Sequence, residues 1–160
     1  MSIQSGSLQT PVTDFNNPAI LDGQVTAMDV LDPTENNEKT SLLEVDDEFD
    51  VHVTWQLTGA ATPIVGGLWV VTLYSNNMDG AGAMTGRLDG PAAVPITGGV
   101  SPLKFEHTFH VPVPKPQVGL YKLTATINHS PTGNPASLSE MFGFAESTPI
   151  DIIDATVESN

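Results

Sequence analysis

Gly119-Leu120-Tyr121-Lys122-Leu123-Thr124-Ala125-Thr126-Ile127 decides the fold of this chain. From Tyr121 onward, Tyr121, Leu123, Ala125 and Ile127 alternate with Lys122, Thr124 and Thr126. Successive side chains of an extended chain point to opposite faces, so a period of two describes a strand with one dry face and one wet face. The same pattern recurs over residues 49–57, where Phe49, Val51, Val53, Trp55 and Leu57 share a face. It recurs again over 103–111, with Leu103, Phe105, His107, Phe109 and Val111 opposite Lys104, Glu106, Thr108 and His110. Three half-buried strands separated by turn-rich gaps predict an all-β protein, an antiparallel two-sheet β-sandwich.

Working outward, residues 68–74 are apolar on both faces, which predicts a central strand covered on both sides. A strand over 24–31 ends at Asp32-Pro33, because the residue before proline is pushed off helical geometry and proline cannot donate to a ladder. Shorter strands are expected at 41–45, 141–145 and 150–153. The glycine-, asparagine- and proline-rich stretch 75–102 reads as a long connection holding at most two short strands, at 86–88 and 92–96. Pro112, Pro114 and Pro116 make a rigid extended corner. Residues 1–23 are polar, carry Pro11 and Pro18 and show no sustained period, so they form an extended arm. Its Phe15, Ile20 and Leu21 are positioned to dock on a neighbouring molecule or on their own domain. The organisation expected is therefore an arm at 1–23, a sandwich at 24–153 and a tail at 154–160.

Composition narrows the function classes. Nineteen acids against five Lys and Arg give 160 residues a formal charge of −14, which opposes nucleic-acid phosphates and anionic lipid surfaces. With no cysteine there is no disulfide framework, thiolate metal site or cysteine nucleophile. No run approaches the roughly 18 apolar residues of a membrane span, so no membrane insertion is expected. The first ten residues lack a basic region followed by an apolar one, so the expected location is cytoplasmic, or outside the cell by a route without a cleavable signal peptide.

The segment Gly119-Leu120-Tyr121-Lys122-Leu123 resembles the corner before the sixth strand of immunoglobulin-like and fibronectin-like modules, where a tyrosine lies two residues before an inward core position. Trp69, on the strand after 49–57, resembles their buried third-strand tryptophan. The resemblance spans about residues 24–153 and implies an immunoglobulin-like Greek key in which 49–57, 68–74, 103–111, 121–127 and 141–145 are strands B, C, E, F and G. A jelly roll is the rival fold. The resemblance also implies that the B-to-C and F-to-G connections share one end of the sandwich. Ile64, Val65, His129 and Asn134 would then lie on one small-residue, nearly uncharged surface suited to a protein partner or a second copy.

Candidate chemistry is sparse. No Gly-x-Ser-x-Gly elbow, His-Glu-x-x-His pair or phosphate-binding glycine loop is present, so no enzymatic activity and no cofactor are expected. His107 and His110 fall on opposite faces of a strand. His52 and His110 share a polar face beside Asp50 and Glu106 and are a candidate zinc or copper pair, with solvent-facing polar residues as the plainer reading. Asp46, Asp47, Glu48 and Asp50, and Asp29 with Asp32 and Glu35, offer oxygen ligands for calcium but not in calcium-loop spacing. Asn128-His129-Ser130 has the form of a glycosylation acceptor. The function expected is a non-catalytic sandwich for protein binding or self-assembly, with a carbohydrate-binding module or a calcium-stabilised adhesion module as alternatives.

Overall fold

The computed structural model describes residues 3–4, 7–8, 21–33, 36, 38–44, 47–78, 86–112, 118–132 and 142–154. Among these residues twelve strands follow one another: β1 (Ile3–Gln4), β2 (Ser7–Leu8), β3 (Asp22–Asp32), β4 (Glu38–Lys39), β5 (Leu42–Glu44), β6 (Phe49–Thr58), β7 (Leu68–Asn77), β8 (Gly86–Pro95), β9 (Leu103–Val111), β10 (Gly119–Ser130), β11 (Phe142–Ser147) and β12 (Ile150–Ile153).

They form two sheets. In the first, β2, β3, β6 and β9 lie in that order, with β4 beside the end of β3. In the second, β7 pairs β8 on one side and β10 on the other, and β10 pairs β11 and β12. β1 extends this sheet beyond β11, and β5 extends it beyond β12. The pairings β6–β9 and β7–β10 cross one another in sequence, which is the interlocked connectivity of an immunoglobulin-like Greek key; the nested pairing of a jelly roll is not found among the described strands.

Between the sheets lies one core. Val53, Trp69, Phe109 and Leu123 are all fully buried. Trp55 and Trp69 meet edge to face at 6.1 Å, and Phe105 lies 5.9 Å from Trp55 and 5.4 Å from Trp69. Three strands, β6 and β9 of one sheet and β7 of the other, thus supply ring contacts that area burial alone would not orient.

Several sequence expectations are corrected. The two short strands expected at 86–88 and 92–96 are one continuous β8, passing through a cis Gly90–Pro91 bond and bulging against β7. Gly90 has φ +93°, and a Cβ there would stand 2.7 Å from the Val71 carbonyl oxygen, so only glycine lets β8 lie this close to β7. One pairing is parallel, β12 with β5. Tyr121 and, two residues on, Leu123 are both fully buried, as the resemblance implies; among the described residues the Tyr121 hydroxyl has no hydrogen-bond partner. As for the arm, Ile3 and Gln4 pair with Ser147 and Glu146 of β11, and Ser7 and Leu8 pair with Gln24 and Gly23 of β3. These described parts of the arm join edges of their own sandwich, one in each sheet. Phe15, Ile20, the proline corner at 113–117 and the tail from 155 lie outside the described residues.

Candidate functional site: two unlike outer faces

The expected surface at the B-to-C end is assembled, but differently from the expectation. A 3-10 turn at Thr62–Ile64 lifts Ile64 to 85% exposure, while Val65 is half-buried against the core. His129 is buried, not a surface contact. Its ring packs 5.6 Å from Trp69, and Nε2 lies 2.8 Å from the Gly66 carbonyl oxygen. A carbonyl only accepts, so Nε2 carries the proton. Gly67, at φ +89°, packs so tightly that a Cβ would fall 2.0 Å from the Ser130 carbonyl oxygen. Loop and strand are knitted to each other: His129 and Gly67 are spent on internal contacts, while Ile64 stays exposed. Asn134 lies outside the described residues. Asn128 is half-buried within β10 beside buried His129 and Ser130, which makes the glycosylation tripeptide a strand interior.

The histidines separate as well. Register places His110 opposite Asp50 and His52 opposite Thr108, so the two imidazoles are not cross-strand partners. His110 Nδ1 lies 2.6 Å from Asp50 Oδ1, and its Nε2 is 3.5 Å from Glu48 Oε2. The hydrogen bond to Asp50 holds the His110 pKa above its ordinary value. His107 turns to the opposite side, its ring 4.7 Å from Phe109; burial pushes its pKa down, with the Asp89 carboxylate opposing that shift. Asp89 also crosses between the sheets: Oδ2 accepts the His110 backbone N–H at 3.0 Å, and Oδ1 accepts the Gly90 N–H at 2.9 Å. Among the described residues no group of three or more His, Asp or Glu could hold a metal ion. The carboxylates proposed for calcium have other partners: Asp29 faces Lys39 at 3.6 Å, and Asp47 accepts the Glu44 N–H at 3.4 Å. Asp46 and Glu35 lie outside the described residues.

The outer face of β6 and β9 therefore carries charge: Asp50, His52, Lys104, Glu106 and His110, with His52 Nε2 3.7 Å from Glu106 Oε2. A bulge between Val25 and Ala27 opens a shallow dent of about 320 Å³ beside it, where the Thr26 and Thr54 hydroxyls meet at 2.7 Å.

The outer face of the other sheet is different. Cross-strand rows run Val70–Asn128–Phe142, Thr72–Thr126–Phe144 and Tyr74–Thr124–Glu146 over β7, β10 and β11. Phe144 is 53% exposed, Phe142 44% and Tyr74 39%. The carboxylate in these rows, Glu146, is 2.9 Å from Lys122 Nζ. β11 is inverted with respect to the usual rule. Its small residues Gly143 and Ala145 face the core opposite Ile127 and Ala125, and its two phenylalanines face out. Burying a phenylalanine is worth roughly 1.5–3 kcal/mol, so this orientation forgoes stabilisation twice on one short strand. Sequence reading singled out neither Phe142 nor Phe144 and gave the strand expected at 141–145 no face. The signal available was Phe-Gly-Phe-Ala, in which either register puts something apolar inside.

No family model matches the chain, and no curated protein matches its sequence. Solved structures similar in shape include the CARDB domain of the PF1109 protein from Pyrococcus furiosus, in complex with di-metal ions, at 14% identity and a TM-score of 0.48, covering 85% of this chain and 96% of that one. A Niemann-Pick type C2 protein from the Japanese carpenter ant is similar at 11% identity and a TM-score of 0.44, covering 81% and 91%. A β-glucosidase from Listeria innocua in complex with glucose is similar at 10% identity and a TM-score of 0.44, over 82% of this chain and 16% of that one. Values this low transfer neither ligand nor activity.

Proposed function

We propose that the chain is a non-catalytic protein-binding sandwich whose working surface is the outer face of β7, β10 and β11. The inverted β11 carries this reading. A strand with its small side chains inside and two phenylalanines outside sacrifices folding stability, and an apolar surface rimmed by polar residues is the common mark of an interaction site. The threonines and asparagine on β10 give the face a polar midline between Tyr74 and the phenylalanine ridge, a mixture typical of transient interfaces.

Site-specific photo-crosslinking tests it. A benzophenone amino acid in place of Phe144 should form protein adducts in extract of the native source, and the same probe in place of Lys104 on the charged face should not. No adduct from position 144 with any protein, including the chain itself, would overturn the reading.

A carbohydrate-binding function is the second reading. It is favoured by exposed aromatic rings beside threonine hydroxyls and an asparagine amide. Glycan-array binding lost in Tyr74→Ala would support it, and an array without signal would remove it.

A further inference from the structure

The charged face carries a site of its own, independent of the aromatic one. The geometry points to a binding site for a small zwitterion, an α-amino acid in its simplest form, in the dent of about 320 Å³ at the β3 bulge. The ligand's carboxylate meets Lys104 and Gln56. Its ammonium meets Glu106 and the hydroxyls of Thr26 and Thr54.

The site begins with the bulge. Val25 stands opposite Trp55 and Ala27 opposite Thr54, so Thr26 is the extra residue on β3, without a cross-strand partner in the ladder. A bulge re-aims such a side chain. Here it brings the Thr26 hydroxyl 2.7 Å from that of Thr54. Register then sets two rows next to each other over β6 and β9, with Thr54 opposite Glu106 and Gln56 opposite Lys104. All five residues line the dent.

The two rows differ in what they offer. One threonine hydroxyl donates to the other, which leaves oxygen lone pairs facing outward, and the Glu106 carboxylate only accepts. The next row donates: the Lys104 ammonium has N–H groups and no acceptor, and the Gln56 amide adds its own N–H groups. Lys104 and Glu106 are two residues apart on one face of β9, about 7 Å along the strand. An α-amino acid with a hydrogen bond of about 2.8 Å at each end spans a similar distance.

Charge selects the class of ligand. A formal charge of −14 repels a free anion, and a free cation finds carboxylates elsewhere on the surface. A molecule neutral overall, with its charges held apart, escapes both effects. Lys104 is available to it: Lys39 pairs with Asp29 and Lys122 with Glu146, while Lys104 has no carboxylate partner among the described residues. Glu106 reaches toward His52 Nε2, at 3.7 Å, one row further from Lys104, so the ends of the dent do not neutralise each other. The dent is open to solvent, and a ligand of about six non-hydrogen atoms held there binds on the order of millimolar.

Backbone-amide NMR titration of the full chain with L-alanine tests this, because alanine carries little beyond the two groups that the dent is inferred to hold. The amides of Thr26, Thr54, Gln56, Lys104 and Glu106 should move together and saturate, and those of Phe142 and Phe144 should stay in place. Propionate and ethylamine, each with one of the two ends, should bind at least about tenfold more weakly. Lys104→Met and Glu106→Gln should each weaken alanine binding by about tenfold or more and leave the rest of the spectrum unchanged, since both side chains are exposed. The absence of any saturable shift up to about 100 mM alanine would overturn the inference. So would propionate binding as tightly as alanine, which would mark a site for anions alone, or alanine binding indifferent to both substitutions. Shifts confined to Tyr74 and the two phenylalanines would place the ligand on the other sheet and overturn it equally.

Discussion

The two outer faces of the sandwich follow the same alternation of inward and outward side chains and spend their outward positions in opposite ways. On β6 and β9 these positions hold Asp50, His52, Lys104, Glu106 and His110, cross-linked by ion pairs and held to β8 through Asp89. On β7, β10 and β11 they hold valine, threonine, asparagine, tyrosine and phenylalanine, with charge confined to the Lys122–Glu146 pair. A solvated face of charge keeps an edge strand such as β9 from pairing with other chains. A face without free charge invites contact. The difference teaches that charge in this chain is distributed by face: it crowds β6 and β9 and is confined to one ion pair across the middle of β7, β10 and β11.

Perturbing what both faces share gives the largest effect. Trp69→Ala opens a cavity beneath β7 and removes ring contacts to Trp55, Phe105 and His129. We expect a loss of about 3–5 kcal/mol in urea unfolding, with both faces disordered together. A loss under about 1 kcal/mol would mean that the two sheets are not clamped on this residue.

Next comes the inversion of β11. Gly143→Val adds a branched side chain at a buried position whose cross-strand neighbour is Ile127, and should destabilise by about 1–3 kcal/mol. Phe144→Ser should change stability by only about 0.5 kcal/mol or less, since the ring lies outside, while removing association. A larger destabilisation from Phe144→Ser than from Gly143→Val would show that the strand has the opposite orientation.

The smallest effect belongs to the charged face. His110 has its pKa raised above 6.5 by Asp50, so it contributes stability that is complete below 6.5 and fades as the pH rises through the raised folded value. His107 has its pKa lowered, so it costs stability as the pH falls below 6.5 and through its folded value. The two oppose each other. His110 is exposed and screened by solvent, so its contribution is about half a kcal/mol or less. NMR titration should find His110 titrating above 6.5 and His107 below it, and Asp50→Asn should draw His110 downward without moving His107. Identical midpoints for the two rings would break this account.

How much was legible in the sequence varied with how strongly burial marked each segment. The strands at 49–57 and 103–111 were readable nearly to the residue, because five inward positions in each agree on one register. The strand at 68–74 was recognisable as central. β8 was read as fragments, since Gly90-Pro91 looks like a break in any sequence; the pairing with β7 that carries the strand through it is a long-range contact. His129 was misread as surface because its neighbours are turn residues, whereas its environment comes from Gly66, 63 residues away. Phe142 and Phe144 were missed because a strand with small and large apolar residues alternating has no polar side to declare which face is wet.

The sequence by itself determined that this chain is built of strands, that most have one buried face, and that no thiol chemistry is available to it. These follow from residue type and a period of two, which is local. Only the tertiary structure decided which strands share a sheet, that His129 belongs to the core edge, and that β11 turns its phenylalanines outward. The period of two fixes which side chains lie together, but it leaves open which of the two sets faces in. The outcome shows only in the assembled sheet, where Gly143 and Ala145 stand inward beside Ile127 and Ala125 and the two phenylalanines stand outward.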